Sequence, residues 1–198
     1  MSWIDQLQQS IHILANYLPQ LLGIIGILFL VHVCNVLMQY RLNVLGIYPR
    51  KPWGLVGIVF APWLHGDFNH VFFNSIALFA LMAMMVVIGY NTFVAASMII
   101  IFCSGLLIWL FGRNGVHVGA SAVIMGYWSF TLVYGIQHPS IITVFVAIVS
   151  LYYFAGMAFS MLPGKKNESF EGHIFGAASG VVAVYALPYW HHWPMIGS

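Results

Sequence analysis

Long apolar runs broken by short polar interruptions set the architecture of this chain. The runs cover about 18–39, 69–89, 92–111, 119–135, 139–162 and 172–187. A helix needs about 20 mostly apolar residues to cross a bilayer, so the pattern predicts about six transmembrane helices. The connection from 42 to 68 differs from the others. It holds Arg50, Lys51, Pro52, Trp53, Pro62 and Trp63 among apolar residues, a mixture that suits the membrane interface. After the last run, Tyr189, Trp190 and Trp193 form an aromatic anchor of the kind found at headgroup level. The first 19 residues lack a basic start and keep Gln6, Gln8, Gln9 and Asn16. They read as a short interfacial helix and not as a cleavable signal peptide. The fold class is therefore all-α, a polytopic membrane helix bundle, and residues 1–198 read as a single membrane domain.

Composition sharpens this picture. Charged residues make up 5% of the chain and hydrophobic ones 62%, with a mean hydropathy of +0.93. A soluble domain carries roughly 25% charged residues, so the lipid bilayer must be the main partner of this surface. A net charge of +2 without a Lys/Arg stripe is too small to point to nucleic acid, so none is expected as a partner. Cys34 and Cys103 both lie in apolar runs and read as small buried hydrophobes, with no disulfide framework.

Polar groups inside a membrane segment are costly, so each is a candidate functional group. Three clusters stand out. His65-Gly66-Asp67-Phe68-Asn69-His70 leads to Asn74 at the head of the second run, and His70 and Asn74, at i and i+4, share one helix face. Gly119-Ala120-Ser121-Ala122 opens the fourth run, and Gly172-His173 opens the sixth, followed by Gly176 and Gly180. In an alternating bundle, the starts of even-numbered spans lie on one side of the membrane.

The chemistry that wants these groups is acyl transfer. A serine is a weak nucleophile until a base comes within hydrogen-bond reach. Ser121 is the candidate nucleophile and His173 the candidate base. Gly176 and Gly180 share the face of His173, and such small residues let a second helix approach closely. His70 and Asn74 can donate to a developing oxyanion. Asp5, Asp67, Glu168 and Glu171 fall outside the apolar cores, so a Ser-His dyad fits better than a triad with a carboxylate. No cofactor is called for. His191 and His192, without carboxylate or cysteine support, do not make a metal site.

Each feature also has a plainer reading. A serine in a membrane helix usually bonds its own backbone, the expectation for Ser129, Ser150 and Ser179 and for Ser121 taken alone. A glycine pair is common packing material, and a His-x-x-x-Asn pair can be an interhelical clamp. His12, His32, His117 and His138 read as interfacial or supporting residues, and Met82, Met84 and Met85 as lipid-facing or packing filler. The conjunction of the three clusters carries the argument. Two other function classes compete: a catalytically inactive binder of client transmembrane helices, against which Ser121 and His173 both speak, and a small channel or transporter, for which paired intramembrane charges are missing.

Together these residues resemble the rhomboid family of intramembrane serine proteases. The family pattern is His-x-x-x-Asn in the second span, Gly-x-Ser in the fourth, and His with glycine at +3 and +7 in the sixth. Here these are His70 and Asn74, Gly119 and Ser121, and His173 with Gly176 and Gly180. The stretch from Gly54 through Ile58 to Pro62-Trp63-Leu64-His65-Gly66 is similar to the family's first loop. The resemblance implies a serine endopeptidase that cuts transmembrane or juxtamembrane segments of other membrane proteins. It implies Ser121 as nucleophile and His173 as base, with the Ser121 N–H, His70 and Asn74 as oxyanion donors. His65 and Gly119 would support them. Met125 stands where many members have an aromatic residue on the catalytic histidine, and Ala122 where many have glycine. The Trp-Arg pair common in the first loop is not evident. These departures bear on efficiency and substrate range. The implied location is multi-pass in a bacterial inner membrane with the site facing outward. The positive-inside rule argues against that orientation, since it would put every Lys and Arg on the outer side.

Overall fold

A computed structural model describes residues 3–161 and 170–190. Lys165, Lys166, Glu168, His191, His192 and Trp193 lie outside the described residues, so the expectations placed on them have no structural counterpart.

The described chain is mostly helical, and its one β feature is an isolated antiparallel bridge between Ile47 and His117. The elements are α1 (Trp3–Leu37), α2 (Gly57–Phe60), α3 (Phe68–Ile88), α4 (Tyr90–Phe111), α5 (Ser121–Gln137), α6 (Ile141–Phe154) and α7 (Phe170–Trp190). Among the described residues, four helices are long and apolar enough to cross a membrane: α1, α3, α4 and α7. Helix α5 has 17 residues, and α6 has 14 before a 3-10 stretch, Ala155–Met161, continues it. The second, fourth and sixth apolar runs are thus α3, α5 and α7.

Local chemistry sets the helix ends. Asp67 accepts from the backbone N–H of His70 at 2.8 Å and caps α3, supplying a partner to one of the orphan donors of a helix start. A single residue, Gly89, separates α3 from α4. Ser140 and Thr143 form a reciprocal capping box at the head of α6, the arrangement that satisfies two orphan donors at once.

Residues 3–37 form one unbroken helix, where the sequence predicts a short interfacial helix before a separate span. Pro19 lies inside it. Proline removes one backbone donor, the partner of the Ala15 carbonyl, and α1 runs on with that single bond missing. The Gln20 amide, its nitrogen turned to the helix, donates one turn back to the carbonyls of Asn16 (3.2 Å) and Tyr17 (3.1 Å).

The core gathers side chains from α1, α3, α4, α5 and α7, among them Leu28, Leu81, Met82, Met85, Ile100, Met125 and Phe130, all almost fully buried. Phe73, Phe102, Phe145 and Ile148 point outward and are exposed, as expected where lipid is the solvent. Polar side chains inside the bundle link helices: Ser97 with Tyr127 (2.8 Å), Thr131 with Ser150 (2.9 Å), and Ser129 to the Ala177 carbonyl (2.7 Å). Ser129 and Ser179 also bond their own helix, as expected, whereas Ser150 meets Thr131.

Candidate active site

Three helix starts converge at one end of the bundle. On α3, Asn74 directs its amide nitrogen to His65 Nε2 at 3.0 Å. For that nitrogen to accept, it must be unprotonated. His65 precedes α3 in the long connection and is fully buried, and its pKa is lowered to about 3. Burial is the main cause, and the neighbouring His70, whose ring meets His65 edge-on at 4.8 Å, adds to it. The imidazole therefore stays neutral near pH 7 and fixes which way the Asn74 amide faces. One N–H of that amide remains for another acceptor. Below His65, Asn35 of α1 bonds the Asn43 side chain (2.8 Å) and accepts from the Leu42 N–H (3.1 Å), which anchors the connection to α1.

The segment leading into α5 is held by backbone pairing. Ile47 and His117 exchange both backbone bonds, at 3.0 and 2.8 Å, and the Gly119 N–H donates to the Ala61 carbonyl at 2.9 Å. Gly119 has φ +117°, a conformation that disfavours side chains. A Cβ there would lie 2.8 Å from the His70 ring and 3.6 Å from the Asn74 amide nitrogen. Glycine is required both by the backbone and by the space. Two residues on, Ser121 is the first residue of α5 and half-buried. Its N–H and the next two open the helix and have no intrahelical acceptor, which suits an anion.

On α7, His173 is in the first turn and buried. Gly172 beside it lines the same small cavity as Ser121, Gly119, Ala61 and Ser104. Helices α5 and α7 are the most closely packed pair in the bundle. A Cβ at Gly176 would lie 2.1 Å from the Ala122 carbonyl oxygen, and one at Gly180 would lie 2.0 Å from that of Gly126. The structure thus brings together His65, His70, Asn74, Gly119 and Ser121, with the first turn of α7 against the same cavity. Met125 is buried in the main core one turn below Ser121.

Sequence reasoning missed two features. One is the His65–Asn74 bond, which spans a loop and a helix at no regular spacing. The other is the ion pair between Arg113, in the α4–α5 loop, and Glu171 at the start of α7. Glu171 stands only two residues before His173, and that proximity was the available signal.

Helices of spanning length around a polar recess at one end define an integral membrane protein of helical-bundle class. Comparison with known proteins gives the particular class: the Rhomboid domain family model matches residues 52–190, and the chain belongs to that family. It is 36% identical over 176 residues to an uncharacterized protein of Mycobacterium tuberculosis, covering 84% of this chain and 73% of that one. An uncharacterized protein of Mycobacterium bovis matches equally, and one of Mycobacterium leprae is 31% identical over 84% of this chain and 70% of its own length.

Proposed function

We propose that this protein is an intramembrane serine endopeptidase of a bacterial inner membrane, cutting transmembrane proteins at helix-breaking segments in or beside their spans. The observation that carries the reading is the crowding of Gly119 against His70 and Asn74, two residues before a serine at a helix start. In the reaction, Ser121 Oγ attacks the scissile carbonyl carbon and gives its proton to His173. The resulting oxyanion is held by the Ser121 N–H, the Asn74 amide and His70. The tetrahedral adduct then collapses, the C–N bond breaks, and His173 returns the proton to the leaving amine. Water, activated by the same histidine, releases the acyl group and restores Ser121. Membership of the rhomboid family and the neutral His65 that orients Asn74 both support these roles.

The test is a fluorophosphonate probe together with a generic transmembrane substrate. Wild-type protein should take up the probe and cleave the substrate, and Ser121→Ala should do neither. Equal labelling of both proteins would remove Ser121 as nucleophile. Substrate binding without cleavage or labelling would favour the inactive client binder.

A further inference from the structure

The base of the proposed dyad is carried by a helix whose start has to be held in register with a loop. Helix α7 begins at Phe170, and His173 is in its first turn. The loop that delivers Ser121 begins just after α4, and its residue Arg113 forms an ion pair with Glu171. The same guanidinium lies over the Phe170 ring, 4.9 Å from its centroid. A planar cation that both pairs with a carboxylate and stacks on an aromatic ring is fixed in direction as well as in place, which an ammonium would not be. The backbone carbonyl of Arg113 meets His117 Nε2 at 2.9 Å, in the stretch that leads to Gly119 and Ser121. One residue therefore touches α7 with its side chain and the serine loop with its main chain. A second contact flanks it: Phe111, at the end of α4, meets Phe175 of α7 at 6.3 Å between ring centroids.

We propose that the Arg113–Glu171 pair, stacked on Phe170, is a strap that sets the register of His173 against Ser121 and is a determinant of turnover. Arg113 and Glu171 are positioning residues and touch no substrate. The inference rests on the protease reading. The Arg113 side chain is 62% exposed and that of Glu171 only 12%. With its cation largely in solvent, the pair adds little to global stability, so the effect belongs to local geometry. A displacement of about 1 Å at a reacting pair can cost on the order of 100-fold in rate, and a frayed first turn of α7 would move the imidazole by that order.

The experiment compares wild type with Arg113→Gln, Glu171→Gln, Arg113→Lys and the charge-swapped Arg113→Glu/Glu171→Arg. It reads kcat and KM on a transmembrane substrate at low and high salt, and hydrogen exchange of residues 170–176. The two glutamine variants should lose roughly tenfold or more in kcat with KM within about twofold, and exchange in the first turn of α7 should quicken. The swap should recover most of both, and Arg113→Lys only part. Wild-type kcat should fall with salt toward the Glu171→Gln value, which should itself be flat. Glutamine variants with wild-type kcat and exchange overturn the proposal, as does a loss that tracks melting temperature and that the swap does not recover. If the wild type neither cleaves nor labels, the protease reading fails on its own. The claim on turnover falls with it, and exchange then decides only whether the pair holds the first turn of α7: quicker exchange in the glutamine variants upholds that contact, and unchanged exchange overturns it.

Discussion

An asparagine amide has two N–H groups, and at Asn74 one of them is directed to His65 Nε2. The other is the one available to an oxyanion. Asn74→Ala and His70→Ala should each lower kcat by roughly 10²–10³ with little change in KM, the mark of donors that act on the transition state. Steady-state kinetics on a transmembrane substrate check this, and a pure KM effect would make them substrate-binding groups. His65 adds a pH dependence. Its pKa falls from 6.5 to about 3 on folding, so below pH 6.5 the unfolded chain takes up a proton that the folded chain refuses. The stability tied to this neutral imidazole is complete above about 6.5 and drains as pH drops toward 3, at up to about 1.4 kcal/mol per pH unit. His65→Gln should flatten that part of the acid limb in thermal melts in detergent; an unchanged limb would place the loss elsewhere. The pairing of His70 with Asn74 was legible because helical spacing puts i and i+4 together. The role of His65 was not, because it depends on how an irregular connection folds back.

At the scale of helices, α5 and α7 meet backbone to backbone. At Gly176 and Gly180 an added Cβ would sit about equally close to a carbonyl oxygen of α5, 2.1 and 2.0 Å away. Backbone cannot swing aside as a side chain can. Gly176→Ala and Gly180→Ala should each destabilise the protein by about 1–3 kcal/mol, as overpacking does, and lower cleavage without altering any group that reacts. Gly26→Ala is the control, since nothing lies within 4 Å of a Cβ there, and it should melt at or slightly above the wild-type temperature, alanine being the better helix former. Melting at the wild-type temperature in both α7 variants would mean that the helices separate easily. The helix-packing role of these glycines was readable from their spacing after His173, and so were most helix positions, because long apolar runs are a strong signal. The continuity of α1 was not readable: proline argues for a break, yet the loss of one backbone bond leaves the helix unbroken from Trp3 to Leu37.

For the whole molecule, two lengths give the depth of the candidate site. At 1.5 Å per residue, α5 is about 25 Å long, short of a hydrocarbon core of about 30 Å. His70 and Asn74 lie about 3 and 9 Å below the start of α3 by the same rise, and Gly119 packs against both. The pocket around Gly119 therefore lies roughly half a turn to under two turns below the start of α3, at the end of the bundle whose rim carries Arg41, Arg50, Lys51 and Arg113. Charge counting alone would turn that rim to the cytoplasm, yet Arg50 donates to the carbonyls of Leu110 and Gly112 at the end of α4 and Arg113 pairs with Glu171, so both have structural work independent of membrane sidedness. Single cysteines in a background with Cys34 and Cys103 replaced by alanine would read depth and sidedness together, using a membrane-impermeant maleimide on sealed vesicles of each orientation. Gly66→Cys and Val116→Cys, both at exposed positions on the rim, should react from one face, and Ser140→Cys, exposed between α5 and α6, from the other. Ser121→Cys should react from the same face as Val116→Cys but roughly tenfold or more slowly, because water must reach the serine for hydrolysis while the bulk of the reagent is held off by the surrounding helices. Reaction of Ser121→Cys as fast as Val116→Cys would place the serine at the surface, and no reaction from either face even with a small water-soluble methanethiosulfonate would deny it the water that a hydrolase needs.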